Sequence, residues 1–232
     1  MSTTPGLMFA TSRPIPPTTE AQLNDFYRNE HLPDVLSYGA VKMTKRYKNV
    51  NPDSAFPYLA LYPVDEVNYF KSKNFEKVVE ETKLSRTFGN KSFYDFLEFE
   101  IGSWSKIQSY EGSHSDPSTK PAPTSHAKTL IAVTMQPAPD PDTDPNSWYK
   151  KQYLDTMATL PTYRRTTRYK RVAGDGDDDG EGKPSFSLVL HEYDCKADEL
   201  PEPREEYVRR CEVWGREVWE LVEVQGDGER QL

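Results

Sequence analysis

Phe26 to Val50 reads FYRNEHLPDVLSYGAVKMTKRYKNV, and it returns, altered, from Trp148 to Val172 as WYKKQYLDTMATLPTYRRTTRYKRV. The two stretches match without a gap, from Phe26/Trp148 through Leu32/Leu154 and Thr44/Thr166 to Arg46-Tyr47-Lys48 against Arg168-Tyr169-Lys170. A long internal match bears on architecture before any local pattern does. It predicts two copies of one α+β unit, residues 1–108 and 128–232, joined by a Ser/Pro-rich linker over 109–127.

Around the first stretch the elements fall into order. Leu7-Met8-Phe9-Ala10 reads as a strand stopped by Arg13-Pro14-Ile15-Pro16-Pro17. Thr19 and Gln22 have capping-box spacing. Leu23, Phe26, Tyr27, Glu30 and His31 then share one helical face, and Gly39 closes the helix. Glu30 and His31 stand where apolar residues are expected, a first hint of a site. Val41 to Val50 alternates as a strand, with Val41, Met43, Lys45 and Tyr47 on one face and Lys42, Thr44, Arg46 and Lys48 on the other. A strand at Tyr58–Tyr62, a helix over Glu66–Thr82 and a strand at Phe93–Ile101 complete the ferredoxin-like order β-α-β-β-α-β.

The second copy repeats the order. It has a strand at Thr129–Met135, a helix opened by Asp144-Pro145 and strands at Tyr163–Val172 and Phe186–Tyr193. A helix over Glu205–Trp214 and a strand at Val218–Val224 follow. One such unit leaves a sheet face bare. Packing the two copies sheet to sheet, as an intramolecular dimeric α/β barrel, would cover both faces.

Composition narrows the function classes. The chain has 232 residues, 35% of them hydrophobic and 12% aromatic, enough for a sizeable core. A net charge of −8 speaks against nucleic-acid and anionic-membrane partners. No apolar run reaches the roughly 18–20 residues of a membrane span. The N-terminus lacks a signal-peptide pattern, and Cys195 and Cys211 read as free thiols of a reducing cytoplasm. Asp175 to Gly180 has the D-x-D-x-D-G opening of a calcium loop, but Phe186 stands where the closing Glu belongs, so it reads as a solvated acidic loop. There is no Cys/His cluster, phosphate loop or G-x-S-x-G elbow, and neither a metal nor a cofactor is expected.

The segments FYRNEHLPDVL, KRYK and PYLALYPVD together resemble the EthD-like branch of the dimeric α/β-barrel superfamily, as a tandem fusion. In the second copy Gln152 and Tyr153 replace Glu30 and His31. The resemblance implies a pocket between each sheet and its own helices, and a secondary-metabolism setting in a filamentous fungus. It also implies a cofactor-independent enzyme acting on an aromatic or polyketide-like small molecule. Isomerisation, decarboxylation, cyclisation and oxygenation all remain open. So do a non-catalytic ligand-binding or helper role and a haem-binding one, with His31 or His191 as axial ligand.

His31 is the leading acid/base candidate, because an imidazole titrates near neutral pH. Tyr47 and Asp34 are the expected assistants, Asp34 lying three residues on along the helix. Phe26, Tyr27, Glu30, Met43, Arg46 and Tyr62 are the expected substrate contacts, with Tyr47 on the apolar side of its strand and Arg46 on the opposite one. Beyond the small molecule no partner is expected, the chain being a monomer with an internal pseudo-dimer; further homodimerisation stays open.

Overall fold

The computed structural model describes residues 3–111, 126–137, 154, 157–172, 187–200, 211–227 and 232. It is a mixed, sheet-rich fold with few helices among those residues. The chain divides into two compact units. One holds Met1–Ser105 with Val222–Arg230 and Leu232; the other holds Lys106–Leu221 and Gln231.

In the first unit β1 (Gly6–Pro14) leads to α1 (Glu20–Phe26), a five-residue π-helical turn (Tyr27–His31) and α2 (Leu32–Ser37). The strand runs through Arg13 to Pro14, further than Leu7–Ala10. A terminal proline is tolerated because it lacks only an N–H. Thr19 caps α1 as its spacing predicts: its hydroxyl accepts from the Gln22 amide while the Gln22 side chain accepts from the Thr19 amide. The π turn precedes Pro33, which has no N–H and whose ring would crowd the carbonyl of residue 29 in a regular helix. Leu32 bonds back to the Tyr27 carbonyl, five residues away, so the wider turn falls where the proline needs room. Gly39, at φ +78°, ends the run.

β2 (Met43–Asn49) and β3 (Tyr58–Val64) follow, then α3 (Lys73–Thr82). The helix expected over Glu66–Thr82 is in fact broken. Val67–Lys71 is a 3₁₀ turn, and Ser72 starts afresh as N-cap of α3, its hydroxyl accepting from the Phe75 amide. β4 (Leu84–Ser85) and β5 (Lys91–Ser92) form a small hairpin whose turn holds Gly89 and Asn90 at positive φ. Phe93–Asp95, expected to open the fourth strand, is a 3₁₀ turn instead, and β6 runs from Leu97 to Glu111. β6 therefore takes in Ser109 to Glu111, which the linker reading had claimed; residues 112–125 lie outside the described ones. The antiparallel sheet of this unit has the order β6-β1-β3-β2.

The second unit contains β7 (Thr129–Pro137), β8 (Tyr163–Arg171), β9 (Ser187–Tyr193) and most of β10 (Cys211–Gly226), in the antiparallel order β10-β7-β9-β8. Cys211 to Trp214, expected to end a helix, belong to β10. The acidic loop and the segment opened by Asp144-Pro145 lie outside the described residues. Pair for pair the two sheets correspond: Met8↔Tyr62 with Ile131↔His191, Ala10↔Ala60 with Val133↔Val189, and Arg46↔Ala60 with Arg168↔Val189. No described helix is long and apolar enough to cross a membrane.

Candidate active site

Residues directly opposite one another in an antiparallel ladder share a face. In the first unit Arg46, Ala60, Ala10 and Ile101 are such partners. Their face, not that of Tyr47, looks toward the helices. Between them lies a cavity of about 280 Å³, at the lower end of the roughly 300–1,000 Å³ typical of ligand pockets. Its floor is sheet (Met8, Ala10, Tyr62, Phe99, Ile101). Its walls come from the first helical run (His31, Val35), from α3 (Phe75, Val78, Val79, Thr82) and from the turn after the hairpin (Phe93, Tyr94); Val41 and Tyr69 complete it. Ten of the fifteen lining residues are Met, Ala, Val, Ile or Phe, and none is Asp, Glu, Lys or Arg. Val79, Tyr94 and Ile101 are also among the exposed large hydrophobics and mark the rim.

His31 is the one imidazole in that lining. Its ring stacks on Phe26 (centroids 5.1 Å) and meets Tyr27, Phe93 and Tyr62 edge to face at 5.6, 5.5 and 6.1 Å. Nδ1 is buried with no hydrogen-bond partner. Burial pushes the imidazole down to about 4; Glu30 partly offsets this, and the Arg46 cation adds to it. His31 is therefore neutral at pH 7. Tyr62 beside it is held well above the usual phenol range, mainly by burial, and stays protonated.

Glu30, one residue away, does different work. It does not line the cavity. Its buried carboxylate accepts from the Arg86 amide (2.6 Å), the Thr87 amide (3.0 Å), the Thr87 hydroxyl (2.9 Å) and the Ser85 hydroxyl (2.9 Å). Burial alone would raise its pKa, but these four donors hold it below the ordinary carboxylate value. Glu30 thus ties the hairpin to the helix, and the hairpin leads into Phe93 and Tyr94 of the cavity wall. Asp34 faces Arg86 at 3.8 Å, not His31.

The remaining expected residues divide between the two sides of the sheet. Phe26 and Tyr27 are buried behind His31, and the Tyr27 hydroxyl pairs with the Ser12 hydroxyl at 3.3 Å. The Arg46 guanidinium lies 4.3 Å over the Tyr27 ring, donates to Asn24 at 3.0 Å and faces Glu223 at 3.7 Å. It supports the helix under His31 from outside the cavity. Met43 and Tyr47 are fully buried on the other face of β2 and reach no part of the cavity. The sequence assigned the two strand faces the wrong way round, because Val41, which does line the cavity, precedes β2 and does not keep its alternation. Tyr69, Thr82 and Tyr94 are cavity residues that sequence reasoning missed; nothing local distinguishes them from ordinary surface tyrosines and helix threonines.

The corresponding face of the second unit carries a hydrophobic cluster among the described residues. Ile131, Val133 and Val189 are buried in one cluster with Leu154, Ala158 and Tyr163. His191, the counterpart of Tyr62, is buried with Nδ1 2.7 Å from the Thr166 hydroxyl, which also accepts from the Tyr163 hydroxyl at 2.8 Å. Burial, with the Arg216 cation, pushes His191 down to about 3. Among the described residues no group of three or more His, Cys, Asp or Glu side chains could hold a metal ion.

No protein-family model matches the chain. A 68-residue stretch is 46% identical to Core atranone cluster (CAC) protein 1 of Stachybotrys chlorohalonatus, and the match spans 29% of this chain and 29% of that relative. Among solved structures, an anthrone oxidase-like protein aligns over 96% of this chain and 93% of its own at 12% identity (TM-score 0.56). A provisionally named monooxygenase from Fusobacterium nucleatum subsp. nucleatum aligns over 98% and 97% at 7% identity (TM-score 0.57). A provisionally named chlorite dismutase aligns over 95% and 96% at 13% identity (TM-score 0.54). At such identities the likeness is one of fold.

Proposed function

We propose that this chain is a cofactor-independent small-molecule enzyme of EthD-like type, built as two ferredoxin-like repeats in tandem, and that His31 is its acid/base. The observation that carries the reading is the partly exposed His31 imidazole in the wall of an otherwise apolar cavity. A neutral imidazole accepts a proton from an acidic C–H or O–H, leaving an enolate or phenolate beside the imidazolium. Returned at another atom, that proton gives an isomer. The anion is equally the starting point for ring closure or for attack on dioxygen.

The free imidazole is a weak base, but not too weak. Against a phenol near 10, an imidazole at about 4 leaves some six units, or roughly 8 kcal/mol. A turnover of about 10 per second allows a barrier of roughly 16 kcal/mol. Tyr62, protonated and with its ring centroid 6.1 Å from that of His31, would steady the anion. The names of the structural neighbours and of the atranone-cluster relative support an oxidative or secondary-metabolic setting.

A haem-binding reading fits less well. His191 is buried with its Nδ1 against the Thr166 hydroxyl, and the lining around His31 offers no cation for porphyrin carboxylates. The test of the proposal is to incubate wild type and His31→Phe, which keeps the ring packing, with small-molecule extract of the source organism and compare the mixtures by mass spectrometry. A compound consumed by wild type alone is the expected result. Undiminished conversion by His31→Phe would remove His31 from the chemistry, and retention without conversion would make the chain a binding module.

A further inference from the structure

The cavity also says what it excludes. Resting on the reading of that cavity as the ligand site, we infer that its substrate is uncharged: an aromatic compound carrying a phenol or enol and no carboxylate, so that decarboxylation is not this protein's reaction.

The argument is one of charge. No lining residue is cationic. The guanidinium nearest the His31 cluster, Arg46, is directed to Asn24, Glu223 and the Tyr27 ring. His31 itself is neutral. A carboxylate entering this space would shed its water shell and find no cationic side chain in the lining to pair with, a costly transfer. It would have to enter as the acid. For a carboxyl group titrating near 4, the acid is about one part in a thousand at pH 7. A phenol or enol enters whole. Its O–H can donate to the His31 imidazole in the cavity wall, and its rings would meet Phe93, Phe75 and Tyr62. Any carboxyl group on the precursor must therefore be removed, or masked as an ester or lactone, by a reaction upstream of this one.

The test uses three probes of one ring frame, naphthalene, 2-naphthol and 2-naphthoate, titrated into the full-length protein at neutral pH by calorimetry. The expected order is naphthol tightest, and naphthoate weaker than naphthol by between tenfold and about a thousandfold. In His31→Phe the advantage of naphthol over naphthalene should vanish while both still bind. Naphthoate binding as tightly as naphthol, or neither naphthol nor naphthalene binding, overturns the inference. The two proposals fail separately. Turnover that depends on His31 with no preference for uncharged probes sinks this one alone; the preference without any turnover sinks the enzymatic reading alone.

Discussion

Replacing Glu30 tests whether it is part of the chemistry or the clamp of the cavity wall. Its two carboxylate oxygens accept four hydrogen bonds, two from backbone amides, all from Ser85, Arg86 and Thr87. In Glu30→Gln the amide oxygen can keep the three bonds gathered on Oε2, while the NH₂ group faces the Arg86 N–H, donor to donor. The variant thus loses one bond and the charge on three, about 2–3 kcal/mol by the usual worth of bonds to charged acceptors. Glu30→Ala removes the acceptor altogether. Water reaches exposed Arg86 and partly exposed Thr87 but not buried Ser85, so the loss should be about 3–5 kcal/mol. Urea unfolding followed by tryptophan fluorescence measures both. Hydrogen exchange at the Arg86 and Thr87 amides should accelerate in step. An alanine variant within about 0.5 kcal/mol of wild type would refute the clamp, since that is the scatter of featureless surface changes. Turnover abolished in Glu30→Gln at unchanged stability would assign Glu30 to the chemistry instead.

Acid should weaken the fold through His31 and the buried His191. His31 titrates at about 4 and His191 at about 3, both below the ordinary 6.5, so between these values the unfolded chain binds protons that the folded one refuses. Their stability contribution is complete above pH 6.5 and declines as the pH falls, by about 3 kcal/mol for each at pH 4.5. Urea midpoints from pH 7 to 4.5 should fall accordingly, and His191→Gln should flatten that decline; an unchanged slope in the variant would contradict it. Filling the cavity from its rim is a separate test. Val79→Trp, at a site 36% exposed, should leave the unfolding free energy within about 1 kcal/mol of wild type while weakening 2-naphthol binding at least tenfold. Unaltered affinity would place the ligand elsewhere.

Local sequence determined the elements whose causes are local. The Thr19–Gln22 box, the Gly39 stop and the alternation of β2 depend on neighbours within a turn or a strand, and all are legible in the chain. Within the internally matched stretches, Arg46 pairs with Ala60 and Arg168 with Val189. Where the reading erred, a local signal was ambiguous: Ser72 can sit inside a helix or cap one, and Phe93–Phe99 can be strand or turn followed by strand. What only the tertiary structure decided is direction. Which face of β2 looks toward the helices follows from its register with β3 and β1, and that places Arg46 under the site and Tyr47 behind it. Glu30 and His31 are adjacent in sequence and alike in promise. A π turn and a hairpin more than fifty residues away in the chain give one of them four hydrogen-bond donors and leave the other bare in an aromatic cavity, because partners so distant in sequence meet only once the chain has folded.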